Sequence, residues 1–472
     1  MPCAGAVPDE IGVQVVGIGS FIVVAGLLVF LAIRSRKNPL FLGGAAAFLI
    51  LGRSMFIDIY PGQELFVLSS IAFTGSDLVF VAAVLGWLYA VRRRPSPRAR
   101  ISTIWVALGA VLALFLAVEL ALAFASAGEI HPYYALGTRD WFYIPLGYLL
   151  TLDMLRRFTM DEILEYVRVL SVITTCLMVL YIVSALGVPV YPYEKNLILP
   201  FGGATIIRDF STFPAWTGLA WCYYLASPQR KGWAYAAMAV LAAGVLLSYT
   251  RSAIGWLAIT AVVATALLML RRGRRTRAIV LGVVCVALAI AVLVVGPLLA
   301  PQQFGYLQSR VSLGNATGVG RLASFERARA AGARVDPNLG AGLFDSSASV
   351  FGLQYFSFDS DWIWIVYRTG WVGLVIFAVP LAVGLWRGIR GFARSELSGP
   401  ASTVLLTGLL ATLWFAGMRF TALVYVWWSA VSLLSIALVA RAEAQPISRG
   451  ATVHPGYGPV GDHCVSERVP SS

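Results

Sequence analysis

The chain has 472 residues, 59% of them hydrophobic and only 12% charged, and this balance, held over nearly the whole length, excludes a soluble globular protein. The formal charge of +13 sits mostly in short basic clusters between apolar runs, a pattern that marks membrane topology and argues against a nucleic-acid partner. Three histidines (His131, His454, His463) and five scattered cysteines (Cys3, Cys176, Cys222, Cys285, Cys464) give no basis for a histidine metal cluster, a zinc site or a disulfide.

A bilayer crossing needs about 20 apolar helical residues. The sequence predicts an all-α polytopic membrane protein with about thirteen spans, twelve or fourteen being the alternatives: residues 11–33, 39–57, 65–91, 101–125, 139–155, 165–186, 204–226, 233–249, 252–270, 278–299, 361–386, 401–418 and 420–440. "MPCAGAVPDE" lacks the basic start of a signal peptide, so the first span is expected to be retained. "RSRKN", "RRRPSPRAR", "RRFTMDE", "SPQRKG", "RRGRRTR" and "RGIRGFARSE" fall on every second connection and are expected on the cytoplasmic side. The other connections then face outward. The longest, residues 300–360, combines the helix-like run "RLASFERARAAGAR" with the turn chemistry "VDPNLGAG" and is expected to be a structured extracytoplasmic subdomain within a transmembrane domain of residues 1–440. Residues 441–472, polar and rich in Pro, Gly and Ser, read as a disordered cytoplasmic tail. No phosphate-binding glycine loop is found, so ATP-driven transport has no engine.

Several charges are expensive in this setting. In "LLSYTRSAIGWLAI", Arg251 stands at an outward turn between two apolar runs, and Arg208 lies near the outer end of a span in "ATIIRDFSTFPAWTG". Each either snorkels to the interface as an ordinary span terminus or binds an anion, since a guanidinium fork matches phosphate oxygens bidentately. Arg321, Arg368 and Arg419 map to the same outer side, against the positive-inside trend. Arg53 and Asp77 fall at similar depth and read as a structural ion pair or a substrate contact; Glu119 and Asp209 lie near the outer face. "FSFDSDWIWIVYRTGWVGLVIF" puts Asp359 and Asp361 where the long loop re-enters the membrane, with Arg368 about two turns further on. The two aspartates allow a helix cap, a divalent-cation site or a general base.

"RDFSTFPAWTGLA", "SYTRSAIGWL" and the series "GRLASFERA", "DPNLGAG", "DSDWIWIVYRTGWVGL", in this order over residues 200–380, resemble the O-antigen ligase and polymerase superfamily, bacterial enzymes that transfer lipid-linked glycans on the outer face of the inner membrane. Counted back from Gly370 and Gly373, Asp359 stands where ligases of that family carry histidine and polymerases often carry aspartate, and Ser360 stands where asparagine is common. The resemblance implies a polymerase moving glycan from undecaprenyl diphosphate to a sugar hydroxyl with inversion. Asp359, Arg208 and Arg251 would be catalytic, and Arg208, Arg251, Arg321, Asp361 and Arg368 substrate-binding. It implies no metal or other cofactor, with membrane lipid, the lipid-linked glycan and a chain-length regulator or flippase as partners. A ligase with a lipid or protein acceptor, and a flippase of lipid-linked oligosaccharide, are the alternatives.

Overall fold

The computed structural model describes residues 64–68, 71–127, 145–185, 198–201, 204–207, 213–226, 232–247, 335–342, 361–394 and 436–446, with single positions elsewhere. In chain order the elements are β1 (Glu64–Leu68), β2 (Ile71–Thr74), α1 (Gly75–Arg93), β3 (Ala99–Arg100), α2 (Thr103–Ala127), α3 (Pro145–Leu155), α4 (Met160–Ala185), β4 (Ile198–Phe201), β5 (Ala204–Ile207), α5 (Phe213–Ala226), α6 (Gly232–Leu247), α7 (Asp361–Arg394) and β6 (Gln445–Pro446). The described part is mostly helical. Stretches Thr103–Leu122, Met160–Val183 and Ile365–Arg390 are each long and apolar enough to cross a membrane. Their exposed faces are apolar too: Val106, Leu114 and Leu122 on α2, Val172 and Val179 on α4, and Val372 and Val375 on α7 all lie on the surface. Helices apolar all round belong in lipid.

Four local features revise the expected boundaries. Residues 65–91 do not form one helix: β1 and β2 pair antiparallel, with Leu68 opposite Ile71, and α1 begins only at Gly75, which puts Asp77 in its first turn. Residues 204–226 likewise open as a strand, β5, which pairs with β4 (Ile198 opposite Ile207, Phe201 opposite Ala204). Short apolar runs rich in aromatic and β-branched residues suit a strand as well as a helix. The helix expected over residues 361–386 reaches Arg394 and is broken at Gly370. Residues 441–446, expected as the start of the tail, close a helical stretch over 436–442 and form β6, paired with β3. Spans 39–57 and 401–418 lie outside the described residues, as do most of 11–33, 252–270, 278–299, 300–360 and 420–440.

The centre of the bundle is α4, packed on α5 and α6. It buries Ile163, Tyr166, Val167, Leu170, Ile173, Thr174, Leu177, Met178 and Tyr181, a three-and-four spacing that makes one inward stripe. Hydroxyls on this stripe are satisfied inside the helix: Ser171 Oγ donates to the Val167 carbonyl and Thr174 Oγ1 to Leu170, both at 2.8 Å. Tyr181 Oη reaches across to the last carbonyl of α6, at Leu247 (3.1 Å). Gly244 lets α6 come close, because a Cβ there would fall inside the Met178 side chain.

α4 begins at a capping box. The Glu162 amide donates to Thr159 Oγ1 (3.4 Å) and the Thr159 amide to Glu162 Oε2 (2.9 Å), so two otherwise unpaired helix-terminal donors are satisfied reciprocally. Thr159→Ala is expected to lower stability by about 1 kcal/mol and Thr159→Ser to restore it. Thermal unfolding in detergent reads both, and equal midpoints for all three proteins would show that the cap contributes nothing.

Around this cap, connections expected on one side of the membrane do converge. Arg34 pairs with Glu165 (2.6 Å) and Arg94 with Glu162. Arg157 forks onto Asp153 (3.0 and 3.2 Å) while its Nη1 donates to the carbonyls of Arg94 (3.0 Å) and Pro95 (2.6 Å). Trp87 Nε1 also donates to Asp153 (2.7 Å), and Arg156 pairs with it. Arg441 donates to the carbonyls of Leu155 (3.1 Å) and Phe158 (2.9 Å), and Arg387 pairs with Glu443 (3.0 Å), so the C-terminal segment is tied to the same end.

Candidate functional site

α7 connects that basic end to the segment that carries the expected acidic residues. It lies antiparallel on α2: Arg387 sits over the ring of the fully buried Trp105 (5.5 Å), and Phe115 meets Phe377 edge to face with centroids 6.2 Å apart. From Trp371 to Arg387 the helix rises about 24 Å, close to the thickness of a bilayer core. The break at Gly370 therefore lies towards the opposite end of the membrane-length stretch Ile365–Arg390, five residues inside it.

At the break Gly370 adopts φ 61°, ψ −162°, a conformation essentially confined to glycine. A broken helix frees backbone donors and acceptors, and in apolar surroundings each must be paired again. The turn Asp336–Gly342 does this. The amides of Trp371 and Val372 donate to the carbonyls of Pro337 (3.0 Å) and Asn338 (3.2 Å), and the carbonyls of Tyr367 and Arg368 accept from Ala341 (2.9 Å) and Gly342 (2.7 Å). The two segments interlock through four backbone hydrogen bonds.

The turn is shaped from within. Asp336 Oδ1 accepts from the amides of Asn338 (2.7 Å) and Leu339 (2.9 Å), and the Asp336 carbonyl accepts from Gly340 (2.7 Å). Gly340 has φ 68°, and a Cβ there would stand 2.5 Å from the Arg368 carbonyl carbon, so both the backbone angle and the close approach require glycine.

Arg368 lies beside this joint and is only 3% exposed, its guanidinium donating to the Gly342 carbonyl (3.4 Å) and lying 5.8 Å from the centre of the Tyr367 ring. Glu119, 7% exposed on α2, stands one turn beyond Phe115 towards the same end. Asp361 opens α7, and its backbone alone is described. Arg208, Arg251, Arg321 and Asp359 lie outside the described residues, as do Arg53, Asp209 and Arg419. Arg208 directly follows β5 in sequence, and Arg251 comes four residues after the end of α6. Of the expected site, the structure thus brings together Arg368 and the "DPNLGAG" turn. Sequence reading notes both glycine motifs but not that they meet, because the contact is made by backbone and leaves its trace only in Gly340, Gly342 and Gly370. Among the described residues, no group of three or more His, Cys, Asp or Glu side chains is arranged to hold a metal ion. No protein-family model matches the chain, and no curated protein sequence matches it.

Proposed function

We propose that the chain is a membrane-embedded glycosyltransferase of the lipid-linked glycan polymerase type, working on the outer face of a bacterial cytoplasmic membrane. In this reading about thirteen helices cross the bilayer, residues 300–360 form an outer subdomain, and the donor is a glycan on undecaprenyl diphosphate. The observation that carries it is Arg368, a guanidinium buried beside the Gly370 joint, across the apolar length of α7 from the basic end. Intramembrane cations line functional cavities or pair with fixed charges, and an anionic lipid diphosphate at this level suits a cluster of arginines.

The chemistry is a single displacement. The acceptor hydroxyl oxygen attacks the anomeric carbon, the bond from that carbon to the diphosphate oxygen breaks on the far side, and its electron pair leaves on the diphosphate. Asp359 takes the hydroxyl proton, or holds the hydroxyl in line until it is lost. Arg208 and Arg251 clamp the diphosphate and stabilise the charge that grows there. Arg321 holds the loop helix or the glycan, and Asp361 and Arg368 contact the substrate from the start of α7.

Purified protein in liposomes, supplied with undecaprenyl-diphosphate-linked repeat units, is expected to lengthen the lipid-linked glycan without nucleotide or divalent metal, and Asp359→Asn to abolish the lengthening. Glycan appearing on a different lipid or protein carrier would make the chain a ligase. Donor that changes leaflet without any change in glycan length would overturn the enzyme reading.

A further inference from the structure

We propose that the basic end of the bundle is a binding surface for anionic phospholipid headgroups, anchored by Arg93 on α1 and Arg390 on α7. The carboxylates described at this end are largely consumed inside it: Asp153 by Arg156 and Arg157, Glu162 by Arg94, Glu165 by Arg34, and Glu443 by Arg387. Asp161, in the first turn of α4, is exposed. Around them stands a surplus of exposed cations, Lys37, Arg92, Arg93, Arg98, Arg100 and Arg390, none in an ion pair with a described carboxylate. The interior network therefore leaves the surface at this end with a net positive charge that nothing described in the protein neutralises.

Two of these cations are held in a particular way. The Arg93 guanidinium lies 5.5 Å from the centre of the Tyr89 ring, and that of Arg390 lies 5.3 Å from the centre of the Trp386 ring, which is 57% exposed. Immediately along each helix the surface turns apolar: Leu85 and Leu88 are exposed on α1, and Val379 and Val375 on α7. Acyl chains suit the aliphatic side chains, aromatic rings collect at the membrane boundary, and a guanidinium stacked on a ring keeps its N–H edges free for phosphate oxygens. The same order, aliphatic then aromatic then guanidinium, occurs on two helices whose ends are linked through the Arg94–Glu162 and Arg387–Glu443 pairs to one charged network. A membrane leaflet presents that order in reverse, and an anionic headgroup supplies the missing negative charge.

The surface does not depend on the glycosyltransferase reading, and its test measures no transfer. Full-length protein is reconstituted in nanodiscs of phosphatidylcholine alone and in nanodiscs containing phosphatidylglycerol, and thermal unfolding is recorded for the wild type, Arg93→Gln, Arg390→Gln and the double variant. Phosphatidylglycerol is expected to raise the wild-type midpoint, each single variant to lose part of the rise and the double variant most of it. All four midpoints should coincide in phosphatidylcholine, because both side chains are exposed and outside the ion-pair network. Native mass spectrometry should show fewer phosphatidylglycerol molecules retained by the double variant. An equal rise in all four proteins would overturn the proposal, and so would an equal rise when inorganic phosphate is added to phosphatidylcholine nanodiscs, since the ligand would then be a free anion.

Discussion

Gly370→Ala is expected to cost about 3 kcal/mol or more of stability and to disconnect the Asp336–Gly342 turn from α7. Two costs combine. The backbone at φ 61°, ψ −162° lies where an L side chain is strained by about 1–3 kcal/mol. A Cβ would also fall inside the Asn338 carbonyl group, which belongs to the turn's backbone and cannot rotate away as a flexible side chain would. Relief requires the turn to move, and that gives up the hydrogen bonds from Trp371 to Pro337 and from Val372 to Asn338. Gly340→Ala attacks the same joint from the other side, so the double variant should lose less than the two single losses added together. Gly147→Ala, in α3, has nothing within 4 Å of the added carbon and should be neutral or stabilising by up to about 1 kcal/mol. Thermal unfolding in detergent, with limited proteolysis in the 336–342 turn as a local probe, separates these outcomes. A Gly370→Ala protein as stable as the control would mean that α7 is not held in its broken form.

The helices were legible in the sequence to the extent that composition alone decides them. α2, α4 and α6 lie close to expected spans because uninterrupted apolar runs of that length have few other ways to satisfy their backbone. Boundaries failed where a local hydrogen bond outweighs hydropathy. The span expected from residue 165 starts at Met160, because Thr159 and Glu162 cap a helix whose first turn is charged and falls outside the apolar run. The hairpins at Glu64–Thr74 and Ile198–Ile207 were hidden for the opposite reason, their apolar residues merging with the helix that follows. Alternation of charge along the chain groups "RSRKN", "RRRPSPRAR" and "RRFTMDE", and the structure joins residues of all three, but the partners cannot be read from it. Nothing in the spacing of Asp153, Trp87 and Arg157 along the sequence says that one carboxylate gathers the indole, the two arginines of the turn after α3 and, through Arg157, the end of α1.

For the candidate site the division falls differently. Residue types were readable: arginine in an apolar run is costly enough to demand an explanation wherever it stands. Arg368 is the one arginine of that set whose side chain is described, and it is buried beside a glycine joint rather than extended to an aqueous face. Its guanidinium donates to the Gly342 carbonyl instead. Its neighbourhood was unreadable, because the turn that touches it lies 26 residues away in sequence and binds through main-chain atoms.

In the proposed glycosyltransferase mechanism, Arg251→Lys is expected to slow glycan transfer by on the order of a hundredfold while leaving insertion and thermal stability unchanged. Lysine keeps the charge, so any role in attracting a diphosphate electrostatically survives. In the proposed mechanism what is lost is the planar fork that holds two phosphate oxygens at once, and with it the alignment of the leaving oxygen behind the anomeric carbon. Because negative charge on that oxygen increases as the glycosidic bond breaks, the fork stabilises the transition state more than the bound donor, and the loss should fall mainly on kcat, with KM changing little. Arg208→Lys should behave alike if both clamp one diphosphate, and the double variant should then be little slower than either single one, since residues that act as a unit are not additive. Single-turnover extension of a lipid-linked repeat unit in liposomes measures this directly. Wild-type turnover by Arg251→Lys would remove the clamp from the mechanism, whereas a rise in KM alone would assign Arg251 to capture of the lipid carrier and leave bond cleavage to other groups.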